Sequence, residues 1–263
     1  MKLKLALHTT LMLLAVVSCS HIDEDERLIY VKLPPIARSV LIEDFTGQRC
    51  TNCPKAADEI KLLQEQYGAD AVVAVGIHSG RLGFHTNSRF VGLSTDVGDE
   101  YFAHWGLEYQ PVGLINRSAP ADHTAWNTMV RRCIEQTAPV RISIQNQQEG
   151  NTLTMQVSID GMDGDTDGKL QLWLVEDNVT AFQLMPDGTR NDNYVHQHVL
   201  RAAVNGTWGE DVSVKEGQTT TKDYSMTLSD EWKTDDLWVV AFVYNETEVL
   251  QVTREKTNNQ ISL

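Results

Sequence analysis

Residues 40–54 read VLIEDFTGQRCTNCP, and this stretch decides the fold expected for the first half of the chain. The runs Ser39–Phe45 and Ala71–His78 are short and largely apolar, which is typical of strands buried on both faces. The residues between them, Pro54–Gly68, indicate a helix, because a proline suits the first turn, apolar residues recur at helical spacing and a glycine ends the run. We therefore predict a βαβ unit.

In the rest of the chain, the pattern of apolar residues changes near Ala138. Before that point we predict a helix near Asp96–Trp105, a strand at Pro111–Arg117 and a closing helix at residues 121–137. Beyond it, seven short alternating runs without a helical pattern predict an antiparallel sandwich. These runs are RISIQ, TLTMQVSI, KLQLWLVED, YVHQHVLRAAV, DYSMTL, LWVVAFVYN and EVLQVTRE. The expected domains are residues 38–138, of α/β type, and residues 139–263, an all-β antiparallel sandwich.

Composition places the chain among folded globular proteins. It has 263 residues, of which 41% are hydrophobic and 22% charged, which argues against a disordered, collagen-like or multi-span membrane protein. The 22 Lys and Arg residues face 36 Asp and Glu residues, giving a formal charge of −14. A nucleic-acid partner is not expected, because phosphate would be repelled.

The N-terminus has the features of a secretory signal over residues 1–18. Two lysines precede the mostly apolar run Leu5–Val17, which is shorter than the roughly 20 residues needed to cross a bilayer. Val16–Cys19 resembles a bacterial lipobox, which implies lipidation of Cys19 and membrane attachment through that lipid. The alternative is an ordinary signal with Cys19 incidental. Residues 19–37 are predicted to be an acidic tether, and Asp23–Glu26 resembles a surface-export signal of Bacteroidetes lipoproteins.

The pair Cys50 and Cys53 lies after a buried strand and at the start of a helix, which is the setting of a thioredoxin-like redox motif. The helix dipole and the charge of Arg49 would favour a thiolate at Cys50. Cys53 would then resolve the mixed disulfide. A purely structural disulfide is one alternative, and half of a zinc site is another, although no second ligand pair is found.

The same stretch resembles the active-site strand and helix start of the thioredoxin superfamily. The resemblance implies that Asp44, six positions before the first cysteine, moves the proton, and that Gln110-Pro111 is a cis-proline step that shapes the substrate groove. It thus suggests Cys50, Cys53, Asp44 and Pro111 as catalytic residues, with Arg49 and Gln110 as substrate contacts. The fold class expected is an α/β thioredoxin-like domain followed by an all-β antiparallel sandwich domain.

Three other features suggest no cofactor or metal site. Asp163–Gly168 matches the opening of a calcium loop, but Leu174 stands where a glutamate is needed, so a hairpin turn is favoured. His196 and His198 would share one strand face without a third ligand, so a strand role is favoured. Cys133 lies on an apolar helical face and is predicted to be a buried thiol.

Motifs from both halves resemble the Omp-twenty-eight-related outer-membrane lipoproteins of Bacteroidetes. The resemblance implies a lipid-anchored protein of the outer membrane, facing the cell surface or, alternatively, the periplasm. Two functions remain open: a thiol–disulfide oxidoreductase acting on protein clients of the envelope, or an adhesin that binds a host or surface ligand and uses the cysteine pair as a staple. The motifs are VLIEDFTGQRCTNCP, QPVGLINR, LQLWLVED, YVHQHVLRAAVNGTWGE and LWVVAFVYN.

Overall fold

The computed structural model describes residues 35–258. Within that range there are three α-helices: α1 (Cys53–Tyr67), α2 (Asp96–His104) and α3 (Trp126–Ile134). The strands up to residue 161 are β1 (Ile36–Ala37), β2 (Val40–Thr46), β3 (Val72–His78), β4 (Val112–Ile115), β5 (Thr137–Ala138), β6 (Val140–Glu149) and β7 (Thr152–Gly161). The later strands are β8 (Thr166–Glu176), β9 (Val179–Leu184), β10 (Arg190–His196), β11 (Val199–Ala203), β12 (Glu210–Val214), β13 (Thr219–Thr227), β14 (Leu237–Tyr244) and β15 (Val249–Lys256).

The predicted βαβ unit is confirmed. β2 and β3 run parallel in register from the pair Val40 and Val72 to the pair Thr46 and His78, and α1 connects them. α1 and α3 cover one face of these strands, where the buried side chains include Ile42, Ala56, Ile60, Leu63, Ala74, Trp126 and Val130. The apolar runs of the sequence are strands because both of their faces are covered.

A single sheet of eight strands takes residues from both halves of the chain. Its order is β15-β14-β8-β11-β3-β2-β4, and β12 pairs with the remaining part of β8. The two halves meet where β11 runs parallel to β3, and the Gly76 amide donates to the His198 carbonyl at 2.7 Å. The edge of β3 that does not pair with β2 is therefore covered by β11, a strand from beyond residue 139.

The predicted fold class, an α/β thioredoxin-like domain followed by a separate antiparallel sandwich, is wrong. Strands dominate the described residues, whose only α-helices are the three named above. Strands from before and after Ala138 share the eight-stranded sheet. Sequence periodicity reports whether a strand is buried but not which strand lies beside it. The predicted change near Ala138 from mixed helices and strands to strands alone does occur, because α3 ends at Ile134 and β6 begins at Val140.

A second layer packs against part of the large sheet. β6, β7 and β13 form a three-stranded antiparallel sheet in the order β13-β7-β6. Alternate residues of these strands point inward onto β8, β12 and β14, which gives two packed layers. Their shared core includes Val140, Ile142, Leu153, Met155, Val157, Ile159, Leu170, Leu172, Leu174, Val239 and Ala241.

The other face of the large sheet holds a buried ion pair among aromatic rings. The Arg117 guanidinium lies 4.0 Å from the centroid of the Tyr244 ring and 4.8 Å from that of Phe242. Its Nε lies 3.4 Å from a carboxylate oxygen of Glu43. Burial raises the pKa of Glu43, while the nearby guanidinium acts in the opposite direction. Arg117 thus ties the first half of the chain to an aromatic core supplied by β14.

The predicted strand YVHQHVLRAAV is two strands. His198 has a left-handed backbone, with φ of 59°, and it separates β10 from β11. β10 turns back on β9 as a two-stranded antiparallel hairpin, whereas β11 enters the large sheet. The hairpin β9–β10 therefore stands apart from the large sheet.

The predictions for the N-terminus lie outside the described residues. They concern the signal at 1–18, the lipidated Cys19 and most of the tether at 19–37. Over residues 35–258, no helix has the length and hydropathy needed to cross a bilayer.

Candidate functional site

The cysteine pair lies where the sequence predicts it, in the loop between β2 and α1. Cys50 and Cys53 form a disulfide, with their Cα atoms 5.4 Å apart. The amide of Cys53, the first residue of α1, donates to the Cys50 sulfur at 3.1 Å. The loop thus brings both cysteines to the N-terminal end of α1, beside the carboxyl ends of the parallel strands β2 and β3.

The hairpin β9–β10 covers this disulfide. Gln183 on β9 donates from Nε2 to the carbonyl of Cys50 at 2.7 Å, and the Leu184 amide donates to the carbonyl of Gln48 at 2.9 Å. The exposed fraction is 2% for Cys50 and 3% for Cys53. An active-site cysteine of an exchange protein is ordinarily reachable by its client, whereas both cysteines here are almost fully buried.

Gln48 forms hydrogen bonds that hold a second segment, residues 83–95, against the same loop. Its Nε2 donates to the carbonyls of Val91 and Phe182, and its Oε1 accepts from the Leu93 amide. Gln48 itself is fully buried. Two buried glutamines, Gln48 and Gln183, therefore join the cysteine loop to both the segment 83–95 and the hairpin.

Asp44 is buried, as the resemblance to the thioredoxin superfamily implies. It is 4% exposed, and burial raises the pKa of its carboxyl to about 7. Its Oδ1 has no hydrogen-bond partner within residues 35–258. The carboxyl can thus hold or release a proton near neutral pH, while its part in proton transfer to Cys53 stays a prediction.

The other predicted site residues make contacts of their own. The Gln110–Pro111 peptide bond is cis, as expected. Gln110 donates from Nε2 to the carbonyls of Thr46 and Ser79, at 2.5 and 3.0 Å, so its amide joins the ends of β2 and β3. The Arg49 guanidinium lies over the Phe84 ring, 4.8 Å from its centroid. Substrate contacts by Arg49 and Gln110 stay predictions.

A cavity of about 380 Å³ opens between α1, the ends of β2 and β3, and the hairpin. Its walls include Asp44, Cys53, His78, Tyr194 and His196. The rings of the two histidines meet edge to face, with centroids 5.0 Å apart. Burial lowers the pKa of His196 to about 4 and that of His78 well below its usual range. Both imidazoles are therefore neutral at neutral pH.

Sequence reasoning missed most of these contacts. It paired His196 with His198, whereas His198 lies 2.9 Å from Asp177 and His196 packs against His78 on β3. It gave no role to Gln48 or Gln183. Buried glutamines inside polar segments leave no periodic signal, so only the fold identifies them.

The remaining features have structural partners. The turn that contains Asp163–Gly168 crosses from β7 to β8, which lie in different sheets, so it is not a hairpin. Asp165 in this turn accepts from the Lys215 ammonium at 2.7 Å. Cys133 is a free, half-buried thiol whose pKa is raised by burial.

Comparison with protein-family models gives one match over residues 98–261, more than half of the chain, to the family described as outer membrane protein Omp28. No curated protein matches the chain. The matched range includes most of α2, all of α3 and β4–β15, but not the cysteine pair.

Among solved structures, HBP35 of Porphyromonas gingivalis is similar with a TM-score of 0.68 and 17% identity, covering 85% of this chain and 76% of that chain. A protein of Agrobacterium tumefaciens gives a TM-score of 0.51 with 17% identity, covering 86% and 97%. A domain of the outer membrane lipoprotein Omp28 from P. gingivalis gives 0.34 with 24% identity, covering 46% and 89%. The first two show a related fold.

Proposed function

This chain belongs to the outer membrane protein Omp28 family, and we propose that it is a lipid-anchored surface-binding protein in which the Cys50–Cys53 disulfide is structural. The lipid is attached to Cys19, and the acidic residues that follow act as a spacer at the cell surface. The described residues form the binding body. An outer-membrane location follows from the family, whereas the lipid and the outward face belong to the proposal.

The burial of the disulfide carries this proposal. Exchange requires a client thiolate or disulfide to approach one sulfur in line with the bond. The 2% and 3% exposures of Cys50 and Cys53, and the bond from Gln183 to the Cys50 carbonyl, oppose such an approach. A closed pair outside the reducing cytosol remains oxidised and acts as a staple.

Turnover of a protein disulfide tests the structural role. We expect the purified protein to reduce insulin no faster than buffer with the same dithiol reductant, and the Cys50→Ser variant to behave identically. Folding of that variant is verified by circular dichroism. Turnover above buffer that disappears in Cys50→Ser would contradict the structural role.

An aromatic patch on the hairpin and the segment 83–95 is the surface proposed for binding. The rings of Phe84, Phe90 and Phe182 meet edge to face, with centroids 5.4–6.3 Å apart. Arg190 lies over two of them, 4.4 Å from the Phe90 centroid and 4.6 Å from that of Phe182. Exposed aromatic and arginine side chains are typical of protein interaction sites.

The adhesion of protein-coated beads to cells tests whether this surface binds a ligand. Beads coated with the protein are expected to adhere to cultured animal cells more than albumin-coated beads do, and Phe90→Ser is expected to reduce the effect severalfold. Leu62→Ser is the matched control, because Leu62 is an exposed apolar residue on α1. Adhesion no greater than that of albumin beads, or equal loss in both variants, would contradict the proposal.

A second function, thiol–disulfide exchange with envelope proteins, is favoured by one observation. Asp44, a buried carboxyl with an unpaired oxygen, lines the same cavity as Cys53, where an acid–base group could serve the resolving sulfur. This function requires the hairpin to open. A midpoint potential near that of cellular dithiols would support it, whereas a potential below about −300 mV would mark the pair as structural.

The membrane face is tested separately. Protease added to intact cells is expected to degrade the protein, while a periplasmic marker stays intact. Replacing Cys19 by alanine is expected to release the protein from the membrane fraction. Protection of the protein in intact cells would place it on the periplasmic side and contradict a surface role.

A further inference from the structure

We propose that the cavity between α1 and the hairpin β9–β10 binds a divalent transition-metal ion through the imidazoles of His78 and His196. The two histidines come from strands far apart in the sequence, and the hairpin brings them together. Neither the proposed binding surface nor the disulfide uses them.

The cavity wall contains three buried polar groups with unused hydrogen-bonding atoms. Asp44 is 4% exposed, His78 is 4% exposed and His196 is 5% exposed. Asp44 Oδ1, His78 Nδ1 and His196 Nε2 each lack a hydrogen-bond partner in the part of the chain that the structure describes. Leaving a buried polar atom unpaired costs about 1–3 kcal/mol. The two unpartnered imidazole nitrogens in the wall of one cavity therefore indicate a ligand that satisfies them.

The chemistry of these atoms suits a metal ion. An imidazole binds a metal through the lone pair of one ring nitrogen, and His78 Nδ1 and His196 Nε2 are nitrogens that no hydrogen bond within the described residues occupies. His196 is held by hydrogen bonding to the backbone at Ala181 and Phe182, as the second nitrogen of a ligating histidine commonly is. Imidazole is a preferred ligand of Zn²⁺, Cu²⁺ and Ni²⁺.

The charges around the cavity are compatible with a cation. Asp44, Asp58 and Lys61 all line it. The Lys61 ammonium lies 3.9 Å from a carboxylate oxygen of Glu65. The positive charge of Arg201 disfavours further positive charge at both histidines. That charge is balanced by Glu176, whose carboxylate oxygen lies 2.7 Å from Arg201 Nε. The two aspartates supply the negative charge that offsets a divalent ion.

The site is a two-imidazole site completed by water. No group of three His, Cys, Asp or Glu side chains among residues 35–258 is already arranged around one point. Asp44 is therefore assigned to charge balance across the cavity rather than to direct ligation. Cys53 is committed to the disulfide and is not available as a thiolate.

Calorimetric titration with Zn²⁺, in buffer without thiol reductant, tests the site. We expect one saturable site in the wild-type protein. His78→Asn and His196→Asn should each weaken it by more than the roughly 10–100-fold that loss of an outer-shell partner costs. His104→Asn is the control, because His104 is an exposed histidine on α2 that stacks on Trp208. Unchanged affinity in both cavity variants, or no saturable site, overturns the proposal.

A spectroscopic measurement on the wild-type protein keeps the test valid if the cavity variants fail to fold. Electron paramagnetic resonance of the protein loaded with one equivalent of Cu²⁺ counts the nitrogen nuclei coupled to the metal. Two imidazole nitrogens support the proposal, and any other number contradicts it. The outcome is independent of the insulin and adhesion experiments.

Discussion

At the level of single residues, Asp44 shows how a position in the sheet changes the chemistry of a side chain. Its carboxyl lies on a buried strand with no counter-ion among residues 35–258 to stabilise the charge, so burial raises its pKa to about 7. The unfolded carboxyl titrates near 3.8. Between these values the folded protein binds more protons than the unfolded chain does, so ionisation of Asp44 lowers stability as the pH rises.

Asp44→Asn removes this titration. The free energy of unfolding of the variant, minus that of the wild type, is expected to rise by about 2–3 kcal/mol between pH 5 and pH 8. Urea denaturation at both pH values measures the difference, and other titrating groups largely cancel in it. Glu65→Gln, at an exposed position on α1, should give no such rise. A difference that does not change with pH would contradict the raised pKa.

At the level of elements, the hairpin β9–β10 controls access to the disulfide. It is held over the cysteine loop by a few hydrogen bonds, from Gln183 to the carbonyls of Gly47 and Cys50 and from Leu184 to Gln48. Its strands pair only with each other in the sheet ladders. An element attached in this way opens at a lower free energy than the large sheet unfolds.

Gln183→Ala is expected to expose the disulfide more often. Losing the amide leaves the buried carbonyl of Cys50 without its partner, at about 1–3 kcal/mol, so reduction by a phosphine should be at least about fivefold faster. Mass spectrometry of alkylated thiols over time measures the rate. Gln66→Ala, at an exposed position on α1, is the control. Equal rates in all three proteins would show that reduction does not require the hairpin to open.

At the level of the whole molecule, the eight-stranded sheet makes the two halves of the sequence depend on each other. The core under α2 combines Leu41, Val73 and Ile77 from the first half with Val175 and Phe242 from the second. β11 covers the edge of β3, which would otherwise be exposed. The described residues accordingly belong to one compact unit.

A fragment of residues 35–138 is therefore expected not to fold alone. Without β8, β11 and β14 it loses much of the core beneath the sheet, and the free edge of β3 promotes aggregation. The full chain should show one calorimetric transition. A soluble fragment that unfolds cooperatively, with near-ultraviolet circular dichroism, would support independent domains at 38–138 and 139–263 instead.

Local pattern determined most of the elements. The strand, cysteine loop and helix at Ser39–Gly68 were predictable because a buried parallel strand and a helix with a proline in its first turn each leave a strong local signal. β9 and β12 were not predicted. The predicted strand YVHQHVLRAAV is two strands, because periodicity does not encode the left-handed backbone conformation at His198. The cysteine pair was identified by its spacing and its place between a strand and a helix, and Asp44 by the resemblance to the thioredoxin superfamily.

The sequence by itself determined most of the strands and helices, where the cysteines lie and which family the motifs resemble. Only the tertiary structure decided that β3 pairs with β11, that a hairpin buries the disulfide, and that His78 and His196 face one cavity. The physical reason is that burial and periodicity are properties of one segment, whereas an edge pairing or a cavity depends on two segments whose contact no local pattern records.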